Sequence, residues 1–348
     1  MFRVVRYCVF FTLLLIAPGQ ADPVKLRLTL QFSQTDPFQG KSVTDFKAAV
    51  ERETANHVTI EVFDKAQLYA DDQALDAVRS GAIEMGVVGL NRVSRFVPSA
   101  SIMEQPFLFN FEALVRAATS PNSEMRQLID DAILRSMGVR VLWWQTVGPQ
   151  IFYTRAGDAL TPDRIEKLKT RVDSDTMASF VKHCGGVPVE LSGSKMVDAM
   201  KDGTLDVGMV SIDAAKTLNL WQVASRITRT DHAAIEFLVL INEQTWNRLS
   251  EEQKSIVVSE ARTVERRARE RAALLETAGY EFARSKGMQI YELTRKEVAE
   301  WRACSADVFA DYLERGGELT DQLMKAYARL RLQPCCNVGP ATDGFNGQ

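Results

Sequence analysis

The chain has 348 residues, of which 46% are hydrophobic and 25% charged, and this composition excludes a fibrous or disordered protein. That length is enough for two domains with separate cores. The 42 basic and 45 acidic residues give a net charge of −3, which argues against a partner made of nucleic acid. The sequence therefore predicts a globular protein that binds no nucleic acid.

Residues 1–21 have the three parts of a secretory signal peptide. Arg3 and Arg6 form a basic start, an apolar segment follows from 7 to 16, and small residues lead up to Ala21. We predict cleavage after Ala21 and export to the periplasm. An uncleaved membrane anchor is the alternative, although the apolar segment is short for a membrane span. Cleavage removes two arginines and no acids, so the mature protein is more acidic.

The mature chain keeps four cysteines, and in an oxidising compartment Cys304 can pair with Cys335 or Cys336. The fourth cysteine is Cys184. Because two of the four are adjacent in sequence, the connectivity stays open. None of the spacings matches the CxxC of a zinc or redox site.

The first half of the mature chain alternates strand and helix patterns. Residues 24–30 have the period of a strand with one apolar face, apolar positions in 43–50 recur at helical spacing, and 58–63 again has a strand pattern. A further helix ends before Gly81 and is followed by a buried strand at 83–88. This βαβ order favours a mostly parallel sheet with helices on its faces.

One short pattern occurs in both halves of the chain. AVRSGAIEMGVV at 77–88 and AMKDGTLDVGMV at 199–210 share a helix end, a base, a glycine turn, an acid and a buried GxV strand, and Gly81 matches Gly203. We interpret this as two similarly built lobes, and chance recurrence of a common helix-turn-strand pattern is the alternative.

A long helix is predicted from 250 to about 285, where Glu, Arg and Ala are abundant and proline is absent. About 36 residues at about 1.5 Å each span about 54 Å, which exceeds one small domain, so we expect this helix to contact both lobes. Trp143 and Trp144 are adjacent on a strand near the boundary between the halves, and because side chains alternate we expect one of them to point inward. The predicted segments are a signal peptide at 1–21, a first lobe at 22–149 completed by about 234–275, a second lobe at 150–233 completed by about 286–333, and a flexible tail at 334–348.

Several stretches carry a resemblance to a known family, and they occur in that family's order: QLYADDQALDAVRSGAIEMGVVG at 67–89, RFVPSASIMEQPFLF at 95–109, DRIEKLKTRV at 163–172, AMKDGTLDVG at 199–208 and INEQTWNRLSEEQKSIVVSEA at 241–261. The mature chain resembles the extracytoplasmic substrate-binding proteins of tripartite ATP-independent periplasmic (TRAP) transporters, the DctP type. The resemblance implies an α/β fold of two lobes around a cleft, similar to class II periplasmic binding proteins, with crossing strands as a hinge and a long helix bridging both lobes.

Arg171 is the central candidate for ligand binding. An arginine at the end of a strand is ordinarily solvated or ion-paired. In the family that this chain resembles, the arginine of the KLKTRV motif forms the main salt bridge to a ligand carboxylate, which corresponds to Arg171. A guanidinium is permanently charged and its donors match a carboxylate in pairs, so the residue type suits that role.

The other candidate residues are weaker. Gln150 stands where relatives that bind acidic sugars have a second arginine, which disfavours sialic acid and favours a ligand with one carboxylate. Phe152, Ser211, Asp213 and Asn91 lie on strands or loops predicted near the cleft, where they would shape the pocket. Ordinary packing is the alternative for each of them.

The resemblance implies a periplasmic solute-binding protein that captures a small carboxylate between its lobes and delivers it to separate membrane subunits. We expect a monomer without cofactor, metal or catalytic residues. A sensor that feeds a signalling receptor is the alternative within the same fold, and an exported enzyme is a more distant one. No GxSxG, HExxH, GxGxxG or GxxxxGK[ST] motif occurs, and His57, His183 and His232 are far apart in sequence.

Overall fold

The computed structural model describes residues 23–337, which form two β-sheets with helices on their faces. The predicted signal peptide and residues 338–348 of the predicted tail lie outside the described residues. The first sheet contains β1 (Val24–Thr29), β2 (Val58–Phe63), β3 (Met85–Gly89), β4 (Val139–Pro149) and β10 (Ala234–Asn242). The second contains β5 (Ile151–Thr154), β6 (Lys169–Val172), β7 (Val187–Glu190), β8 (Val207–Val210), β9 (Arg226–Arg229) and β11 (Gln289–Glu292).

The helices are α1 (Gln39–Glu53), α2 (Asp71–Arg79), α3 (Leu90–Val93), α4 (Glu112–Ala118), α5 (Glu124–Met137), α6 (Asp175–His183), α7 (Met196–Asp202), α8 (Ala214–Thr217), α9 (Glu243–Asn247), α10 (Glu251–Ser285), α11 (Arg295–Cys304), α12 (Ala306–Glu314) and α13 (Glu318–Arg331). None of the helices within 23–337 has both the length and the hydropathy needed to cross a membrane. The predicted α/β fold with two lobes is confirmed.

The first sheet has the order β2-β1-β3-β10-β4, with β10 antiparallel to both of its neighbours. Its two faces are covered by different hydrophobic clusters, and the side chains of β4 alternate between them. Trp143 packs in one cluster and Trp144 in the other, and both are fully buried. The expectation that one of the two would point inward is wrong, because this sheet has a core on each face.

The pattern shared by the two halves forms the same local structure in both lobes. Gly81 and Gly203 have φ angles of +74° and +79°, a conformation that favours glycine at the end of a helix. After each glycine a backbone bond closes the turn, from the amide of Ile83 to the carbonyl of Ala77 at 3.2 Å and from Leu205 to Ala199 at 2.9 Å. The strands that follow, β3 and β8, each lie between a parallel and an antiparallel neighbour.

The lobes are joined by crossing strands and by the long helix. Strand β4 leads through Gln150 into β5, β9 leads back into β10, and the amide of Gln150 donates to the carbonyl of Ala233 at 2.8 Å where the two crossings meet. Helix α10 has 35 residues and a capping box formed by Ser250 and Gln253. It contacts α1 and β4 of the first lobe and α8 and β11 of the second, so the predicted bridge between lobes is confirmed.

The C-terminal helices divide between the lobes. Helix α12 contacts α6 of the second lobe, whereas α13 packs against α4 and α5 of the first lobe through Leu323, Ala326 and Leu330. The assignment of 286–333 to the second lobe is therefore wrong for α13. Its apolar face is buried by the helical layer of the first sheet, a contact that the local helical pattern does not specify.

A disulfide links Cys184 to Cys304, at the ends of α6 and α11. Pairing of Cys304 with Cys335 or Cys336 is thus wrong: Cys335 is exposed, Cys336 is buried against the first lobe, and both are free thiols. The disulfide closes a loop across 120 positions and ties α11 to the second lobe. A crosslink of this length restricts the unfolded chain strongly.

We expect the Cys184→Ser and Cys304→Ser double substitution to lower the free energy of unfolding by about 2 to 5 kcal/mol, because the unfolded chain regains the freedom of a long loop. Denaturant unfolding of the oxidised protein measures the change. Cys335→Ser is the control, since that exposed thiol holds no crosslink, and an equal loss in the control would contradict the assignment.

Candidate functional site

A cavity of about 380 Å³ lies between the two lobes, beside the crossing strands. The loops after β3, β6 and β8 reach it, as expected for the carboxyl ends of strands in α/β folds. Its polar and aromatic lining includes Gln31, Phe32, Gln39, Asp71, Asn91 and Glu104 from the first lobe, Arg171, Asp173, Ser192, Ser211 and Asp213 from the second, and Gln150, Glu236 and Phe237 from the crossing strands.

Arg171 is held in place by backbone atoms of the second lobe. It lies on β6, is 5% exposed, and donates from Nε to the carbonyl of Leu191 at 2.9 Å and from Nη1 to the carbonyl of Met209 at 2.7 Å. Nη1 also contacts Oδ2 of Asp173 at 3.1 Å. Among the described residues Nη2 makes no hydrogen bond, so this nitrogen keeps two donors for a ligand.

The lobes touch each other at the edge of this cavity. The side-chain amide of Asn91, on α3, donates to the backbone carbonyl of Asp173 at 2.8 Å. Arg92 and Arg95 of the first lobe lie 3.6 and 3.3 Å from a carboxylate oxygen of Glu190 on β7. The structure is therefore a closed arrangement in which both lobes contribute to one cavity.

Gln150, Ser211 and Asp213 all line the cavity, together with Arg171 and Asn91. Gln150 is 3% exposed, and within the described part of the chain its Oε1 has no hydrogen-bond donor. The hydroxyl of Ser211 donates to a carboxylate oxygen of Asp213. Burial raises the pKa of Asp213, and the Ser211 hydroxyl opposes that shift.

Phe152 lies in the core of the second lobe and does not line the cavity. It is fully buried and stacks on His232 with ring centroids 5.0 Å apart, and it also contacts Phe180 and Trp301. The expectation that Phe152 shapes the pocket is wrong, because β5 turns this side chain to the face that the C-terminal helices cover. Burial lowers the pKa of His232 to about 3, so the imidazole is neutral.

Two buried acids in the cavity were missed by the sequence analysis. Glu104 and Glu236 are 4% and 3% exposed, and burial raises the pKa of each to about 8. Both oxygens of Glu104 lack hydrogen-bond donors among residues 23–337, whereas Oε2 of Glu236 accepts from Thr146 at 2.9 Å. Each acid interrupts an apolar run in the sequence, SIMEQPFLF and AIEFLVLIN, and that interruption is the signal that identifies them.

A second cavity of about 290 Å³ lies on the opposite side of the crossing strands, next to α10. Its basic residues are paired with acids, Arg116 with Glu112, Arg229 with Asp231 and Arg269 with Glu265. Within the described ranges, no group of three or more His, Cys, Asp or Glu side chains is arranged to hold a metal ion. Arg171 also has a neighbouring carboxylate, but its Nη2 makes no hydrogen bond among the described residues, whereas both Nη atoms of Arg229 and of Arg269 are engaged. The interlobe cavity is therefore the better candidate for an anionic ligand.

The family model DctP, described as bacterial extracellular solute-binding protein, family 7, matches residues 31–315. The chain belongs to the DctP family. This confirms the identification as an extracytoplasmic solute-binding protein of the TRAP type, a family of receptors and not of enzymes. Among curated relatives, the C4-dicarboxylate-binding periplasmic protein DctP of Rhodobacter capsulatus is 25% identical over 328 residues, which cover 90% of this chain and 94% of that protein.

Solved structures of TRAP periplasmic solute-binding proteins share this fold. One from Roseobacter denitrificans with bound β-D-glucuronate has a TM-score of 0.81 at 23% identity, and the match covers 87% of this chain and 99% of that one. One from Shewanella oneidensis with bound succinate has a TM-score of 0.80 at 20% identity, with coverage of 88% and 99%. At these identities the likeness shows the fold of this DctP-family chain.

The raised pKa values of Glu104 and Glu236 predict how the free energy of unfolding depends on pH. The folded protein keeps a proton on Glu104 and Glu236 up to about pH 8, whereas the unfolded chain releases both near 4.5, the ordinary pKa of a glutamate. Between these values the folded state binds more protons, so the free energy of unfolding falls as the pH rises. We expect the melting temperature of the ligand-free protein to decrease from pH 5 to 8.5.

The Glu104→Gln and Glu236→Gln double variant removes both titrations and keeps the side-chain volume. Its melting temperature should fall less steeply over the same pH range, measured by circular dichroism in matched buffers. A slope equal to that of the wild type would contradict the raised pKa values. Asp213 contributes a residual slope of the same sign, since burial raises its pKa as well.

Proposed function

We propose that this protein binds a small organic acid in the interlobe cavity and that Arg171 pairs with its carboxylate. The observation that carries the proposal is the environment of this guanidinium: it is buried, fixed by the carbonyls of Leu191 and Met209, lines the cavity of a closed cleft, and makes no hydrogen bond from Nη2 among the described residues. A fixed cation loses little freedom when it binds an anion, which favours selective recognition.

The composition of the cavity favours an acid with a single carboxylate. Gln150 stands where relatives that bind acidic sugars have a second arginine, and within the described residues lining the cavity the other base is the exposed Lys65. The acids Glu104, Asp173, Asp213 and Glu236 line the same space. A second carboxylate on the ligand would face Asp173, whose carboxylate repels it, and the buried acids Glu104 and Glu236, which hold their protons up to about pH 8 and offer it no compensating positive charge.

Family membership supports the rest of the proposal. The DctP protein of Rhodobacter capsulatus is named as a periplasmic protein, and we assign the same compartment to this chain, with residues 1–21 as its signal peptide. The closed, ligand-bound monomer presents both lobes to TRAP membrane subunits on separate chains, which carry out the transport. Ligand release without turnover distinguishes this role from that of an exported enzyme.

Arg171→Ala should weaken binding of the carboxylate by about 3 to 5 kcal/mol, because the ligand's charge is then buried without its partner. The ligand is first identified by a thermal-shift panel of D-glucuronate, D-erythronate, pyroglutamate and other monocarboxylates, together with mass spectrometry of any acid that co-purifies. Calorimetry then compares the variant with the wild type.

Arg164→Ala is the matched control, since this arginine is exposed, lies one turn before β6 and does not line the cavity. Arg171→Lys keeps the charge and loses the paired donors, so its affinity should lie between those of the wild type and Arg171→Ala. Wild-type affinity in a correctly folded Arg171→Ala protein, or a panel in which only neutral sugars bind, would refute the proposed function.

A further inference from the structure

Two acids, one from each lobe, line the same cavity as Arg171. Glu104 is the last residue of a 3-10 helix in the first lobe, and Asp173 follows β6 in the second. Both oxygens of Glu104 and Oδ1 of Asp173 are buried, and among residues 23–337 none of the three accepts a hydrogen bond. Once Glu104 has released its proton, the pair supplies three unused acceptor oxygens in the cavity between the lobes.

The basic residues near Glu104 and Asp173 already form ion pairs with acidic residues. Arg92 lies 2.7 Å from Asp71 and 3.6 Å from Glu190, and Arg171 lies 3.1 Å from Asp173. Glu104 has no ion pair of its own among the described residues. A ligand carboxylate on Arg171 adds one more negative charge to this region, and a buried charge without a partner is costly.

We propose that the ligand is a zwitterion of the α-amino acid type, whose carboxylate binds Arg171 and whose ammonium group lies between Glu104 and Asp173. This rests on the proposed function, because it assumes the carboxylate at Arg171. An ammonium group has three N–H donors and no acceptor, which matches the three unused oxygens in number and polarity. In an α-amino acid the ammonium and the carboxylate are both attached to the α-carbon, so the two charged groups are as close together as the adjacency of Arg171 and Asp173 requires.

Two other occupants of the acid pair are less consistent with the site. A metal ion needs more protein ligands than are grouped here, since no set of three suitable side chains is arranged for it in the described part of the chain. A 2-hydroxy acid has a single O–H donor at the position where an amino acid has the three N–H donors of its ammonium group. It would therefore leave two of the three buried oxygens without a hydrogen bond. Both occupants are distinguished from a zwitterion by the experiment below.

The test compares acids that differ in one group. L-Amino acids are measured beside the 2-hydroxy and 2-oxo acids of the same carbon skeleton, such as valine, 2-hydroxyisovalerate and 2-oxoisovalerate, and beside the amine that lacks the carboxylate. The thermal shift is recorded with and without a metal chelator. We expect at least one amino acid to raise the melting temperature while its hydroxy and oxo counterparts do not, with no effect of the chelator.

The outcomes separate this inference from the function on which it rests. If hydroxy or oxo acids bind and no amino acid does, the zwitterion is refuted and the carboxylate at Arg171 stands. If the amine without a carboxylate binds as well as the amino acid, the carboxylate at Arg171 is refuted too. Binding that the chelator abolishes assigns the acids to a metal ion and overturns the proposal, as does a panel without any amino acid that binds.

Glu104→Gln tests the acid itself in a side chain of equal size. We expect the affinity for the amino acid identified in the panel to fall about a hundredfold, because the ammonium loses a buried charged partner. Asp198→Asn is the matched control: it removes an exposed acid on α7 of the second lobe that does not line the cavity. Equal affinity in Glu104→Gln and the wild type would overturn the placement of the ammonium.

Proton release gives a second readout that a purely structural role would not produce. In the ligand-free protein the pKa of Glu104 is about 8, raised by burial and by Asp173 and Asp175, while Arg92 and the nearby Ser174 hydroxyl, which makes no hydrogen bond to either carboxyl oxygen, oppose the rise. An ammonium beside Glu104 lowers that pKa, so binding at pH 7 should release protons. Calorimetry in two buffers of different ionisation enthalpy measures the number released. Zero release in the wild type, or equal release in Glu104→Gln, would contradict the inference.

Discussion

The buried guanidinium of Arg171 is the constraint on which the site depends. A permanently charged group inside a protein must have its donors satisfied, and here two backbone carbonyls and one carboxylate satisfy those on Nε and Nη1. The carbonyls belong to Leu191, after β7, and to Met209, on β8. Because β6 lies between these two strands, the order of the sheet itself fixes the cation.

The closed cleft follows from the way the chain crosses between the sheets. Strand β4 of the first sheet continues into β5 of the second, and β9 of the second continues into β10 of the first. These two connections are short and adjacent, and the bond between Gln150 and Ala233 joins them. Helix α10 contacts both lobes and leads from the first sheet to β11 of the second. Two adjacent connections form a hinge, so the lobes can rotate about a single axis to open and to close on a ligand.

The excess of acids in the cavity changes the interpretation of the binding site. Arg171 accounts for the proposed capture of a carboxylate, but it gives no reason for Glu104 to be buried without a hydrogen-bond partner among the described residues. Such a group lowers the stability of the ligand-free protein, and proteins retain costs of this kind chiefly at functional sites. The proposed recognition of a positively charged group on the ligand explains why this destabilising acid is present in the cavity.

The sequence by itself determined the two-lobed fold and the bridging helix, and it singled out Arg171 as the candidate that the proposed function uses. These features depend on local signals: helical spacing over 35 residues, a glycine turn repeated in each half, and a motif shared with the DctP family. The tertiary structure alone decided which cysteines pair, that Phe152 belongs to the core, and that Glu104 and Asp173 meet at one cavity. Each of these depends on which distant segments come together, and a pattern within one segment carries no information about its partner across the fold.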